Sequence, residues 1–356
     1  MGSNLALAIN QHASGVTGDP TSPFARAANT PSEMLGVGNR WAESVGQTRD
    51  AWANIDAPSK PGGPPPSAGE KTARVLRAAQ QTVGTVLGGL SAIKDSLDVG
   101  FANLTAPLAA ICPSMPAATL MSTYIGTPHC HPAHPPSGPP PIPPTPLPSI
   151  GMVTLGMSVK VLINGMPAAR ADDIGLAPTC CGIPPAWFKI KTGSSNVFIG
   201  GSRAARMTDV CQACKNIPEP PKVSLSTIGK AADMAMKGMA TAGKIAGGLG
   251  IAADVAEAAV ADDAAMAAAK ALSAAMNAAQ MAADAAKSAV EATMWKDPTL
   301  PPTGSIGAIV DPSHATVLIG GFPMINIPDP VSALLNKLKF YKAKPAPGSG
   351  AATGSC

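Results

Sequence analysis

Apolar positions along the chain change period several times, and each change marks a new element. A helix is expected around Glu33–Ile55, with Trp41 and Trp52 as anchors, and over Glu70–Ile93 apolar residues recur at helical spacing. In the second stretch Val75, Leu76, Val83, Val86 and Leu87 share one side, as on the buried face of a helix. A further helix is expected over Leu97–Ala106, stopping before Pro107 and folding back as a hairpin. From Gly151 the chain becomes β-like. Val153–Leu155, Val159–Ile163, Trp187–Ile190 and Val197–Ile199 are short runs bounded by Gly and Pro, the signature of short strands. Asn164-Gly165 and Gly200-Gly201 suit tight hairpin turns. An Ala-rich block, Thr227 to Trp295, follows. Alanine is the best helix former, so two helices are expected, Ser226–Ala246 and Ile251–Lys296, broken at Gly247-Gly248-Leu249-Gly250. In the second, Met266, Leu272, Met276, Ala279, Ala283, Val290 and Met294 make a packing stripe, and Asp284, Lys287 and Glu291 lie on another face. β character then returns, and Val331–Phe340 forms a last short helix.

One phrase in the β region recurs. Val161-Leu162-Ile163-Asn164-Gly165-Met166-Pro167-Ala168-Ala169-Arg170-Ala171-Asp172-Asp173 returns without a gap as Val197-Phe198-Ile199-Gly200-Gly201-Ser202-Arg203-Ala204-Ala205-Arg206-Met207-Thr208-Asp209. A weaker third copy is Val317-Leu318-Ile319-Gly320-Gly321-Phe322-Pro323. Recurrence at a fixed offset means one small unit stacked on itself. Arg170 and Arg206 each precede an acid by three residues, Asp173 and Asp209, and are expected to pair with it or cap a turn. Because they repeat with the strands, they belong to the scaffold.

Composition narrows the picture. Aromatic residues make up 3% of the 356 residues and charged residues 13%, with 38 Pro and 36 Gly. So little large apolar area argues against one big core and for help from a metal or a partner. A net charge of +4 without a Lys/Arg block excludes a nucleic-acid partner. The first twenty residues lack the pattern of a signal peptide, and Thr82–Ile93 and Val99–Met115 are too short and too interrupted to span a membrane. A cytoplasmic protein is expected.

The sequence divides into a partly irregular N-terminal extension (1–71), a helical segment (72–125), a β domain with the first two repeats (126–216), an Ala-rich helical insertion (217–302), a third repeat with a short helix (303–341) and a flexible tail (342–356). Pro-rich stretches at 132–148 and 217–222 are extended connections. The fold class is α+β.

Candidate chemistry lies in His129, Cys130, His131, His134, Cys180, Cys181, Cys211 and Cys214, which hold three of the five histidines and five of the seven cysteines. Thiols follow each of the first two repeats, and Cys211 and Cys214 have CxxC spacing. With no export signal these cysteines read as metal ligands in preference to a disulfide framework. A structural Zn2+ takes four N or S ligands in a tetrahedron. We take His129, His131, Cys180 and Cys211 as that set, with His134, Cys181 and Cys214 in reserve. A Cys/His nucleophile is the rival, but no orienting acid or oxyanion loop accompanies it, and no Walker loop, GxSxG or HExxH occurs. The chain is read as a protein without catalytic residues.

These segments resemble the PAAR-repeat family, the tip proteins of type VI secretion spikes. The resemblance rests on Pro128-His129-Cys130-His131-Pro132, on Val161 to Asp173 with its Pro167-Ala168-Ala169-Arg170, and on Gly193 to Cys211. It implies a small cone of β hairpins with pseudo-three-fold repeats, pinned by Zn2+ near its apex. It also implies a trimeric VgrG β-helix as partner at the base, transient contact with a target membrane, and secretion at the spike tip on firing. The length and the helical insertion depart from the short members. Longer members carry N-terminal apolar helices held by a chaperone, a part that Thr82–Met115 would play, and the helices would dock an effector or chaperone. A PAAR-carrying toxin acting on membranes is the alternative.

Overall fold

A computed structural model describes residues 23–58, 61–129, 148–179, 186–215, 227–261, 263–295, 304–312, 316–327 and Leu334. It divides into a helical unit (residues 1–104, 225–282 and 327–343) and a β unit (105–224, 283–326 and 344–356).

In the helical unit α1 (Pro23–Ala53) packs on α2 (Ala68–Leu104), and α2 on α4 (Thr227–Ala259). Ser67 opens α2 with a capping box: its hydroxyl accepts from the Glu70 amide, and its amide donates to the Glu70 carboxylate, satisfying two otherwise orphaned donors. The α1–α2 seam is tied by indole donors, Trp41 Nε1 to Thr85 O at 2.9 Å and Trp52 Nε1 to Thr82 Oγ1 at 2.8 Å. The α2–α4 seam is tied by Arg77, which donates to Asp254 and Glu257 at 2.6 and 2.8 Å. Along α2, Val75, Val86, Ile93, Leu97 and Leu104 remain exposed, at spacings that place them on one side of the helix.

Two helix expectations are corrected. The hairpin expected between Ile93 and Leu97 does not form; α2 runs straight through, and Pro107 instead sits in the first turn of α3 (Ala106–Ile111), where its missing amide costs nothing. The glycine run at 247–250 does not end α4. Gly247 admits the side chain of Met281, whose Sδ would lie 2.8 Å from a Cβ there, so helix packing outweighs propensity. The break falls later, before α5 (Ala264–Thr293), where Asp263 accepts from the Ala265 amide at 3.1 Å. The short helix expected over Val331–Phe340 and both Pro-rich stretches fall outside the described residues, apart from Pro148 and Leu334.

In the β unit six short strands close a barrel. They are β2 (Thr123–Gly126), β3 (Ile150–Leu155), β6 (Ile174–Leu176), β7 (Trp187–Ile190), β11 (Val210–Ala213) and β12 (Ser305–Asp311), all antiparallel in the cyclic order β11-β12-β2-β3-β6-β7. The helical insertion leaves after β11 and returns at β12, between neighbouring staves. The barrel is narrow. Val153, Ile190 and Ile309 are buried in its interior. Beside them Tyr124 stacks on Phe188 with centroids 4.2 Å apart, and Gly175 leaves the room they need: a Cβ there would lie 2.1 Å from the Phe188 ring. Alternating large and small side chains is how a small barrel fills its interior.

Beside the barrel lie β4 (Ser158–Ile163) with β5 (Met166–Ala168), β9 (Phe198–Ile199) with β10 (Ser202–Arg203), β1 (Met115–Pro116) with β13 (Leu318–Ile319), and β8 (Thr192–Ser194) with β14 (Pro323–Ile325). The expected hairpin turns are present, with φ of 51° and 79° at Asn164-Gly165 and 55° and 78° at Gly200-Gly201.

Candidate functional site

The repeats assemble around a pseudo-three-fold axis. Three alanines close a ring of hydrogen bonds: Ala118 N donates to Ala205 O, Ala205 N to Ala169 O and Ala169 N to Ala118 O, at 2.9, 3.0 and 3.0 Å. Three residues after each alanine the chain takes a left-handed turn, at Met121, Asp172 and Thr208, with φ of 69°, 72° and 71°. The next side chain caps that turn. Asp173 accepts from the Arg170 amide and Asp209 from the Arg206 amide, both at 2.7 Å, and the Ser122 hydroxyl accepts from the Thr119 amide at 2.8 Å. Above the ring Ile163, Ile199 and Ile319 pack with Ala117, Ala168 and Ala204 into a second buried cluster.

The third repeat is therefore a composite. The segment Val317 to Ile319 supplies its first strand, as the weak third copy indicated. Its second half is not the residues that follow but Met115 to Gly126, with Pro116-Ala117-Ala118-Thr119 in the place of Pro167-Ala168-Ala169-Arg170. Ala117 N donates to Val317 O at 2.8 Å, as Ala204 N does to Val197 O at 2.9 Å. Sequence reading placed 115–125 in a helical segment and missed this copy. The signal was there, in the shared Pro-Ala-Ala, but Thr119 and Ser122 stand where the other copies have Arg and Asp.

The two Arg–Asp pairs form, yet differently. Arg206 and Asp209 are both buried and joined at 3.2 Å, and the guanidinium also donates to Gly320 O at 3.0 Å and Gly321 O at 2.5 Å. Burial is the largest influence on the Asp209 carboxyl and raises it above the usual range. Arg170 instead turns toward Gly156 O and lies 3.9 Å from Asp284. Asp173 keeps only a 3.5 Å approach from Arg170 and receives Lys287 of α5 at 3.3 Å. Its carboxyl is raised to about 6, chiefly by burial, against the pull of Lys287 and Arg170.

Of the expected metal ligands, His129 stands just past β2, its Nδ1 2.9 Å from Thr127 O. His131, His134, Cys180 and Cys181 lie outside the described residues. Cys211 faces the barrel core with Tyr124 and Phe188. Its thiol donates to Asp209 O at 3.7 Å, and burial pushes it well above its ordinary value. A metal there would have to take a thiolate from an apolar site, which burial opposes. Cys214, at the loop end of β11, is disulfide-bonded, and a sulfur so bonded is not a thiolate donor. Among the described residues no three His, Cys, Asp or Glu side chains come together as a metal site.

Residues 148–214, which span the first two copies, match the family model described as the PAAR motif. This stretch is a PAAR-repeat region. Its motif is that of type VI secretion spike tips, and the mixed α+β architecture with its small closed barrel agrees with that assignment. No curated protein and no solved structure matches the chain significantly. Among the described residues no helix is long and apolar enough to cross a membrane.

Proposed function

We propose that the β unit caps the blunt end of a trimeric VgrG-type β-helix and sharpens it for membrane piercing. One observation carries this reading. Leu162, Phe198 and Leu318 occupy the same position in the three repeats, each one residue before a buried isoleucine of the ring cluster. Leu162 and Leu318 are 55% and 61% exposed, and Phe198 is partly so. An apolar triad repeated about a three-fold axis matches a partner with three-fold symmetry, and short exposed strand edges favour pairing with another β structure. Binding to a purified VgrG trimer tests it. Leu162→Asp with Leu318→Asp should weaken binding at least tenfold while leaving the fold intact, since both side chains already face water. Unchanged binding would remove the triad from the interface.

The protein acts as structure, without catalytic residues, and its helices dock cargo or a chaperone. The exposed apolar side of α2 favours that role. It equally favours the second reading, an effector acting on membranes through its helices. Growth arrest on expression in a susceptible periplasm would select the effector. A Zn2+ would stiffen the loop end of the barrel, held by His129 with His131, Cys180 and a fourth donor from His134 or Cys181. Metal analysis of the reduced protein should return about one zinc per chain, and a fully folded metal-free protein would exclude it.

A further inference from the structure

In the second repeat the buried acid is neutralised by its own arginine; in the first the arginine stands off at 3.5 Å and a lysine shares the acid. Arg206 lies over Asp209 from within the same turn. Arg170, its counterpart, directs its guanidinium to Gly156 O and toward Asp284. The vacant side of Asp173 is filled from elsewhere in the chain, by Lys287 Nζ at 3.3 Å. The route is open because residue 156 is glycine: a Cβ there would lie 2.6 Å from Lys287 Cδ and 2.7 Å from Asp173 Oδ1. The same end of α5 is fastened at three more points. Glu291 accepts from Lys189 at 2.9 Å, and Lys189 also reaches Asp172 at 3.3 Å. Trp295 Nε1 donates to Trp187 O at 3.3 Å. Val290, Met294 and Trp295 join the barrel's apolar cluster beside Ile174, Leu155 and Trp187.

We infer that the end of α5 and the two residues after it, from Ala283 to Trp295, are a strap on the first repeat, and that Lys287 is its positioning residue, supplying the cation that Arg206 supplies in the second. The insertion thus completes the barrel's charge balance. The groups that bear on Asp173 are Arg170 in its own turn and Lys287 on α5. Asp284 on α5 draws Arg170 away, and Lys189 on β7 is occupied by Asp172 and Glu291. Removing Lys287 leaves Asp173 with the Arg170 amide and a guanidinium at 3.5 Å, so ionising it in the folded state becomes harder and its carboxyl rises further.

The sign of the pH effect follows. A carboxyl raised in the folded state favours folding while protonated, and that contribution is lost as pH rises through its folded value. Lys287→Met keeps the apolar stem and deletes the charge. Its cost, measured by denaturant unfolding of the full chain, should be small at pH 4 and grow through pH 6 to 8, about tenfold in the folding constant for each unit by which the carboxyl rises. On an Asp173→Asn background the same substitution should cost little at any pH, and Lys287→Arg should restore much of the wild-type profile. Release of the strap should also red-shift the emission of Trp187 and Trp295. If Lys287→Met does not fold, the Asp173→Asn pair still reads the coupling. Equal cost at pH 4 and 8, or equal cost with and without Asp173, would overturn the assignment and leave Lys287 as packing alone.

Discussion

At the scale of single residues, the side chains that cap the three turns are satisfied in three ways: Asp209 by its own arginine, Asp173 by a borrowed lysine, and Ser122 without charge. The buried pair is the most exposed to mutation. Arg206→Met would strand Asp209 and leave the carbonyls of Gly320 and Gly321 without their donor. Deleting one partner of a buried pair costs about 3–5 kcal/mol, so the variant should unfold at markedly lower denaturant. Arg170→Met should cost less, because Lys287 remains on Asp173. The pairing of Arg170 and Arg206 with acids three residues on was legible in the repeat itself. The burial of Cys211 was not, because CxxC spacing does not say which face of the strand each side chain takes. That difference is open to measurement. Native Cys211 should resist alkylation at pH 8 while the half-buried, free Cys112 reacts, and Cys211→Ala should keep whatever zinc the protein carries. Rapid labelling of Cys211 in the folded chain would return it to the ligand set.

At the scale of elements, hairpins were legible because their turns demand Asn-Gly or Gly-Gly, and strand runs because their bounds are Gly and Pro. Helix ends were not. The glycines at 247–250 read as a break, yet packing against Met281 uses the missing side chain of Gly247. Likewise Asp284, Lys287 and Glu291 read as a face apart from the packing stripe. They meet Arg170, Asp173 and Lys189 instead, while Met266 and Leu272 of the expected stripe are exposed. Charge on a helix therefore did not mean solvent, because the barrel offers a buried charge to satisfy. The barrel's narrowness makes its own prediction. A Cβ on Gly307 would lie 2.3 Å from Ile125 O and 2.4 Å from Gly126 Cα, backbone atoms of the neighbouring stave that cannot swing aside. Gly307→Ala should thus destabilise by about 1–3 kcal/mol, as overpacking does, seen as a lowered Tm. An unaltered Tm would mean that β12 and β2 separate more readily than their ladder implies.

At the scale of the molecule, the third repeat decides how the β unit holds together. Two repeats are continuous; the third joins Met115–Gly126 to Ser305–Ile319 across the whole insertion. The late segment is built in at many places. β12 pairs with both β11 and β2, Ile309 and Ile319 belong to the two buried clusters, Gly320 and Gly321 receive Arg206, and Ile325 O receives Arg203. A chain ending at residue 303 would keep both complete PAAR phrases and lose all of this. Its barrel would be open, with β11 and β2 as unpaired edges and the Ala117 amide without Val317 O. Closing a loop of this length costs entropy only slowly with length, so the intact chain bears the insertion, whereas the truncated one has nothing to close upon. Hydrogen exchange is the measurement. In the full chain the amides of Ala118, Ala169 and Ala205 should be among the slowest, since their ring opens only when all three repeats part. In the truncated chain all three should exchange quickly together, including Ala169 and Ala205, whose own repeats are untouched. Retained protection at those two amides would show that two repeats suffice, and that the third is attached to the barrel without closing it.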